Sequence, residues 1–143
     1  MRTATDDLAE LSLFSGATRP ELALIRRNLT CVSVPAGRVL MHEGGPGNEF
    51  MIIAEGEALV SRGGRTIAKL GRGDLVGEIA LLAKDGPMRR TATVTTCTTT
   101  RLYAGSRAEF QRILQAAPTV ATRVLETSAA RMNTTEVADP LAA

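Results

Sequence analysis

The apolar residues near the start of the chain recur at helical spacing. Leu22, Ile25 and Leu29 stand at positions i, i+3 and i+7, which predicts a helix with one buried face. The four residues Thr18-Arg-Pro-Glu21 have the sequence of a capping box, the feature that starts such a helix. A shorter apolar helical turn precedes them, so we predict N-terminal helices within residues 8–29.

The middle of the chain has a different pattern. Eleven of the thirteen glycines lie between Gly37 and Gly86, and they divide the chain into short apolar runs. Short runs separated by Gly-rich turns are typical of a β-sandwich or barrel. Gly63-Gly64 is expected to form a two-residue hairpin turn, because the turns that suit hairpins need positive φ angles. Together with two Thr-rich runs further on, the predicted strands are Cys31–Val34, Arg38–Met41, Glu49–Ala54, Ala58–Ser61, Thr66–Leu70, Asp74–Val76, Ala92–Thr96 and Thr99–Tyr103.

Two further helices are predicted after these strands. Ser106-Arg-Ala-Glu109 is a second capping box, and Pro118 ends the helix that it starts and begins another. One face of the last helix contains Val120, Val124, Thr127 and Arg131. The expected organisation is one domain over residues 1–143, with the strands at 31–104 and two C-terminal helices within 106–132.

The composition is that of an ordinary globular domain, and it argues against some classes of binding partner. With 143 residues, of which 44% are hydrophobic and 22% charged, the chain is long enough to bury a core unaided. A net charge of +2 is too small to indicate nucleic acid or a membrane surface as a partner. The first residues lack the apolar stretch of a signal peptide, and no run is long enough to span a membrane, so a cytoplasmic location is expected.

The sequence contains few of the residues from which catalytic or metal sites are built. His42 is the single histidine, and Cys31 and Cys97 are far apart in the chain. One histidine and two isolated thiols do not supply a three- or four-ligand metal site or a catalytic triad. We therefore expect no catalytic residues, no metal and no cofactor. We expect both cysteines to be free and buried.

The residues from Gly77 to Val94 contain the most distinctive chemistry in the chain. Gly77 and Glu78 open an apolar helical turn, and a Gly-Pro break separates that turn from Arg90 and Thr91. A tight glycine turn into a helix exposes backbone N–H groups that favour an anion, and an arginine adds a forked donor to a phosphate. Glu78 would repel a bare phosphate but would accept a hydrogen bond from a neighbouring hydroxyl. A ligand with one phosphate beside a ribose hydroxyl satisfies all of these groups.

These motifs resemble the phosphate-binding cassette of cyclic-nucleotide-binding domains, the family of the catabolite activator protein and of the regulatory subunits of cAMP-dependent kinase. The resemblance extends from about Leu11 to Met132. It implies a mainly β fold, an eight-stranded antiparallel, jelly-roll-like β-roll with N-terminal helices and two C-terminal helices. It also implies that Glu78 accepts the ribose 2′-hydroxyl, that Arg90 pairs with the cyclic phosphate and that Thr91 contacts phosphate or base. With the helix-terminal N–H groups, the implied ligand set is Gly77, Glu78, Ile79, Ala80, Arg90 and Thr91.

Two further arginines are candidates for the same site. Where the family has Pro-Arg, this chain has Pro-Met-Arg-Arg, so the phosphate arginine is either Arg89 or Arg90. Successive strand residues point to opposite faces, and Arg90 shares the parity of the apolar Ala92 and Val94, which favours Arg90. Arg131, on the last predicted helix, is a candidate lid over the open end of the roll.

By this resemblance the chain is expected to be a non-catalytic sensor that binds cAMP ahead of cGMP and repositions its C-terminal helices. Its output would pass to a protein partner or to an effector domain missing from this sequence, and the chain alone is expected not to bind nucleic acid. Three alternatives stay open. The first is an interaction module of the same fold without a ligand. The second is the effector domain of a transcription regulator whose DNA-binding part is absent, and the third is a cupin-like enzyme, which the single histidine disfavours.

Overall fold

The computed structural model describes residues 8–77 and 90–126, and their main feature is a pair of four-stranded antiparallel sheets. The first sheet has the strand order β1-β8-β3-β6, and the second has the order β2-β7-β4-β5. Strands distributed between two sheets in this way form a jelly-roll-like β-roll, which confirms the predicted fold class. The strands are β1 (Thr30–Val34), β2 (Val39–Met41), β3 (Glu49–Glu55), β4 (Ala58–Arg62), β5 (Arg65–Leu70), β6 (Leu75–Val76), β7 (Thr93–Thr96) and β8 (Thr100–Ser106).

Helices flank the strands on both sides in sequence. A short 3-10 turn (Ser12–Phe14) precedes helix α1 (Arg19–Arg27), helix α2 (Arg107–Ala116) follows β8, and helix α3 covers residues 118–126. None of the helices in residues 8–77 and 90–126 has the length and hydropathy of a transmembrane segment.

Both predicted capping boxes are present at the starts of α1 and α2. The Thr18 hydroxyl accepts from the N–H group of Glu21 at 3.3 Å, and the Ser106 hydroxyl accepts from the N–H group of Glu109 at 3.2 Å. The predicted break at Pro118 is also confirmed, because α2 ends two residues before it. These boundaries were predictable because a cap is made by residues three positions apart in sequence.

The first sheet separates two apolar clusters, because successive side chains of its strands point to opposite faces. On one face, Phe50 and Tyr103 pack with residues of the flanking helices. On the other face, Ile53 and Leu102 pack against the second sheet. The rings of Phe50 and Phe110 have centroids 4.7 Å apart and join β3 to α2. Strand β3 is covered on both faces, which explains its continuous run of apolar residues.

The β4–β5 hairpin brings its tip close to the start of β7. Gly63 and Gly64 have φ angles of +57° and +79°, the positive values that a two-residue hairpin turn needs, so the predicted turn is confirmed. Strand β4 pairs with β7 as well as with β5, and Ser61 lies opposite Thr93. Arg62, the next residue of β4, therefore lies just beyond this pair, on the side where β7 begins.

The expectation that Cys31 and Cys97 are buried is wrong, although both thiols are free as expected. Cys31 lies on β1, which is an edge strand of the first sheet, and the first four residues of β1 are exposed. Cys97 lies in the turn between β7 and β8 rather than in a strand. A local apolar pattern does not distinguish a central strand from an edge strand, because that difference depends on the strand order.

Candidate functional site

Gly77 occupies a position where a larger residue does not fit. It directly follows β6 and has a φ angle of +86°. A Cβ atom at this position would lie 2.5 Å from Arg90 Nη1, 2.5 Å from Met41 Cε and 2.9 Å from the carbonyl oxygen of Glu49. Both the backbone angle and the close approach therefore require glycine. As a result, the guanidinium of Arg90 lies directly against the backbone of Gly77.

The Arg90 guanidinium is buried and oriented by main-chain carbonyl groups. Arg90 is 9% exposed, its Nη1 donates to the Gly77 carbonyl at 2.9 Å and its Nη2 donates to the Glu49 carbonyl at 2.5 Å. These carbonyls stand at the end of β6 and at the start of β3, so the guanidinium bridges two neighbouring strands. Burying a permanently charged group is unfavourable unless dipoles or an anion compensate it, and the two carbonyl dipoles provide part of that compensation. The arrangement therefore presents an oriented cation beside the glycine turn.

The burial of Arg90 agrees with the orientation expected from strand parity. Val94, which has the same parity, is 4% exposed and packs between the sheets with Met41. The regular part of β7 begins at Thr93, one residue later than the predicted Ala92. Arg90 thus points inward, and its role as the phosphate ligand stays a prediction.

Thr91 has the opposite orientation. The residue is exposed, and its carbonyl oxygen accepts a hydrogen bond from Arg62 Nε at 3.0 Å. The contact that the structure shows for Thr91 is therefore made by its main chain. The predicted contact of Thr91 with phosphate or base stays a prediction.

The other predicted ligand residues lie outside the described residues. They are Glu78, Ile79 and Ala80, together with the alternative arginine Arg89 and the candidate lid Arg131. Their proposed roles stay predictions. Within the described part of the predicted set, the fold brings together Gly77 and Arg90, which are 13 residues apart in sequence.

Sequence reasoning missed several residues that contact this pair or its neighbour, among them Met41, Glu49 and Arg62. Met41 and the Glu49 carbonyl lie against Gly77, and Arg62 donates to the main chain of Thr91. The Glu49 contact uses a carbonyl that any residue would provide, so no residue type in the sequence indicates it. Arg62 could have been noticed as a charge at a hairpin tip, but its partner depends on the pairing of β4 with β7.

The described part of the site offers a buried cation rather than a set of metal ligands. Among residues 8–77 and 90–126, no group of three or more His, Cys, Asp and Glu side chains is arranged to hold a metal ion. The site instead combines a guanidinium with a glycine turn. This pair suits a phosphate group, because a guanidinium donates two parallel hydrogen bonds to phosphate oxygens.

A known protein family matches the part of the chain that contains the β-roll and helix α2. Residues 31–117 match the family model described as the cyclic nucleotide-binding domain. The cAMP-dependent protein kinase regulatory subunit of Hypocrea atroviridis is 33% identical over 107 residues, which are 75% of this chain and 22% of that protein. The cGMP-dependent protein kinase egl-4 of Caenorhabditis briggsae is 40% identical over 80 residues, which are 56% of this chain and 10% of that protein.

A solved structure supports the same fold. The catabolite activator protein of Thermus thermophilus is similar with a TM-score of 0.74 and 27% sequence identity, over 90% of this chain and 62% of that chain. The chain spans 10% of the length of the cGMP-dependent protein kinase and 22% of the length of the regulatory subunit. The similarity therefore concerns only a part of each of those proteins.

Proposed function

The chain belongs to the cyclic nucleotide-binding domain family, and we propose that it binds cAMP, in preference to cGMP, as a non-catalytic regulatory module. The observation that carries this proposal is the buried Arg90 guanidinium, which two carbonyl groups hold beside Gly77. A side chain that is already ordered loses less conformational entropy on binding than an exposed arginine does. Arg90 is therefore suited to bind the cyclic phosphate of a nucleotide.

The remaining ligand contacts come from the cassette that begins at Gly77. Glu78 accepts a hydrogen bond from the ribose 2′-hydroxyl, which explains a carboxylate next to an anion site. The N–H groups of Ile79 and Ala80 join Arg90 at the phosphate. Thr91 contacts the phosphate or the base.

The C-terminal helices transmit the bound state to a protein partner or to an attached effector domain. In α3, Val120 and Val124 pack into the same core as Phe14. Arg123 Nη1 donates to the Ser12 carbonyl at 2.6 Å, so α3 is tied to the N-terminal turn. A ligand that binds one arrangement of these helices more tightly than another shifts the population toward that arrangement. Partners then recognise the surface that this arrangement exposes.

A cGMP-binding module is the second candidate. The exposed Thr91 side chain stands directly after Arg90, and a threonine hydroxyl is able to accept a hydrogen bond from the 2-amino group of guanine, which adenine lacks. The 40% identity to a cGMP-dependent protein kinase also supports this candidate. A cGMP-binding module uses the same phosphate site as a cAMP-binding module and differs from it in the contact with the base.

Calorimetric titration with cAMP, cGMP and 5′-AMP at equal ionic strength tests the proposal. We expect cAMP to bind most tightly, cGMP more weakly and 5′-AMP weakest, because its open phosphate carries a second charge and lacks the cyclic geometry. Tighter binding of cGMP would select the second candidate. No binding of either cyclic nucleotide would refute the proposal and favour an interaction module of the same fold.

A further inference from the structure

A loop from another part of the fold fixes the main chain of Arg90. The Arg90 N–H group donates to the Gly45 carbonyl at 2.8 Å, and the Arg90 carbonyl accepts from the Gly44 N–H group at 2.9 Å. This pair of hydrogen bonds has the pattern of a β-bulge, in which two residues of one segment oppose one residue of the other, and Gly44 has a positive φ angle of +79°. The pair sets the position of the Arg90 Cα atom, from which the buried guanidinium extends.

The tip of the β4–β5 hairpin adds further contacts at the same place. Arg62 Nε donates to the Thr91 carbonyl at 3.0 Å, and the Gly63 N–H group donates to the Glu43 carboxylate at 2.9 Å. The Glu43 N–H group in turn donates to the Thr93 hydroxyl at 3.0 Å. The segments that close this hydrogen-bonded ring are residues 43–45, 62–63 and 90–93.

We infer that Arg62 and Glu43 are positioning residues for the nucleotide phosphate, which they affect through the main chain at Arg90. The inference rests on the proposed function. Each of the two side chains bonds to a main-chain atom of another segment, so its loss loosens the backbone beside Arg90. The guanidinium must reach the Gly77 and Glu49 carbonyls and the phosphate together, so a small displacement of its Cα atom misaligns all of these contacts.

Because the ring lies at the surface, its effect on cAMP binding can be measured separately from its effect on folding stability. The hydrogen bonds from Arg62 and to Glu43 are exposed to solvent, where such bonds contribute little to stability. The apolar cluster that includes Met41 and Val94 does not use either side chain. Truncating Arg62 or Glu43 should therefore weaken cAMP binding roughly three- to ten-fold. The melting temperature of the free protein should fall by less than about 3 °C.

Calorimetric titration of the full chain with cAMP tests the inference on matched variants. We expect three- to ten-fold weaker binding for Arg62→Ala and Glu43→Ala, on the order expected for a lost hydrogen bond. Glu43→Gln should bind within about two-fold of the wild type, because its amide oxygen still accepts from the Gly63 N–H group. The control is Arg38→Ala, which truncates an exposed arginine of the same roll and should leave the affinity unchanged. Equal affinity of Glu43→Ala and the wild type, or a Glu43→Gln variant as weak as Glu43→Ala, would overturn the inference.

A double-mutant cycle shows whether Arg62 acts through Arg90. Arg90→Lys keeps a positive charge but loses the forked geometry that the ring orients. In this background we expect Arg62→Ala to weaken binding by less than about two-fold, because the two substitutions affect one contact and are not additive. The full three- to ten-fold factor in both backgrounds would mean that Arg62 acts independently of Arg90, and it would overturn the inference.

Amide hydrogen exchange in the nucleotide-free protein distinguishes failure of the inference from failure of the proposed function. The Arg90 amide should exchange roughly three- to ten-fold faster in Arg62→Ala and Glu43→Ala than in the wild type. The buried Ile53 amide, bonded to the Asp74 carbonyl at 3.0 Å, serves as the unchanged reference. Unchanged exchange at Arg90 would overturn the inference. Faster exchange in a protein that binds no cyclic nucleotide would refute the proposed function and leave the effect of the ring on Arg90 standing.

Discussion

Replacing Gly77 by alanine perturbs the candidate site at its tightest point. The new Cβ atom would lie 2.5 Å from Arg90 Nη1 and from Met41 Cε, and 2.9 Å from the Glu49 carbonyl oxygen. The first two atoms are the ends of flexible side chains and can move aside. The Glu49 carbonyl belongs to the main chain of β3 and also accepts from Arg90 Nη2. Relief of the clash therefore displaces the guanidinium.

Two unfavourable terms add in this variant. A φ angle of +86° disfavours a residue with a Cβ atom, by about 1–2 kcal/mol. Crowding against β3 adds about 1–3 kcal/mol, so the free energy of unfolding should fall by about 2–5 kcal/mol. Gly37→Ala is the matched control, because Gly37 has a φ angle of +83° and a Cβ atom added there would meet nothing within 4 Å. Gly37→Ala should therefore be destabilised only by the unfavourable φ angle.

Urea unfolding measures the free energy of each variant, and calorimetric titration with cAMP measures its affinity. We expect Gly77→Ala to be less stable than Gly37→Ala by about 1–3 kcal/mol. We also expect cAMP binding at least about ten-fold weaker in Gly77→Ala, the loss of roughly one charge-assisted hydrogen bond, and unchanged in Gly37→Ala. Equal stability of the two variants would refute the close packing at Gly77. Wild-type affinity in folded Gly77→Ala would refute the coupling between Gly77 and the phosphate cation.

Three further measurements test other parts of the molecule. The 2′-deoxy analogue should bind about ten- to a hundred-fold more weakly than cAMP, because Glu78 is proposed to accept the 2′-hydroxyl; equal affinities by calorimetry would remove Glu78 from the site. Cys31 and Cys97 are both exposed and should both react with a thiol reagent in the native protein, whereas protection of either one would contradict its position in the fold. Saturating cAMP should change the amide hydrogen exchange of residues 118–126, and unchanged exchange there would reduce the module to a passive binder.

Features determined by neighbouring residues were predictable from the sequence. The capping boxes at Thr18 and Ser106 and the Gly63-Gly64 turn each depend on two to four consecutive residues, and all three are confirmed. The inward orientation of Arg90 follows from strand parity, which requires only the identities of the next few residues. The resemblance of the cassette to a known family supplied the fold that connects these local features.

Features determined by the strand order were not predictable in this way. Cys31 was expected to be buried, but β1 is an edge strand, and nothing within its five residues indicates this. The hydrogen-bonded ring depends on segments separated by tens of residues. Its acceptors include the Gly45 and Thr91 carbonyls, which are main-chain groups without a residue-type signature.

Titration of Arg90→Ala and Arg89→Ala with cAMP decides whether Arg90 supplies the cation that binds the cyclic phosphate. Arg90 is buried, and truncating the buried member of a charge pair costs about 2–5 kcal/mol of binding free energy. An arginine at the rim of the site would contribute less than about 1 kcal/mol. We predict no measurable cAMP binding by folded Arg90→Ala and a loss of less than about five-fold for Arg89→Ala. Retained binding by Arg90→Ala together with loss of binding by Arg89→Ala would contradict the claim.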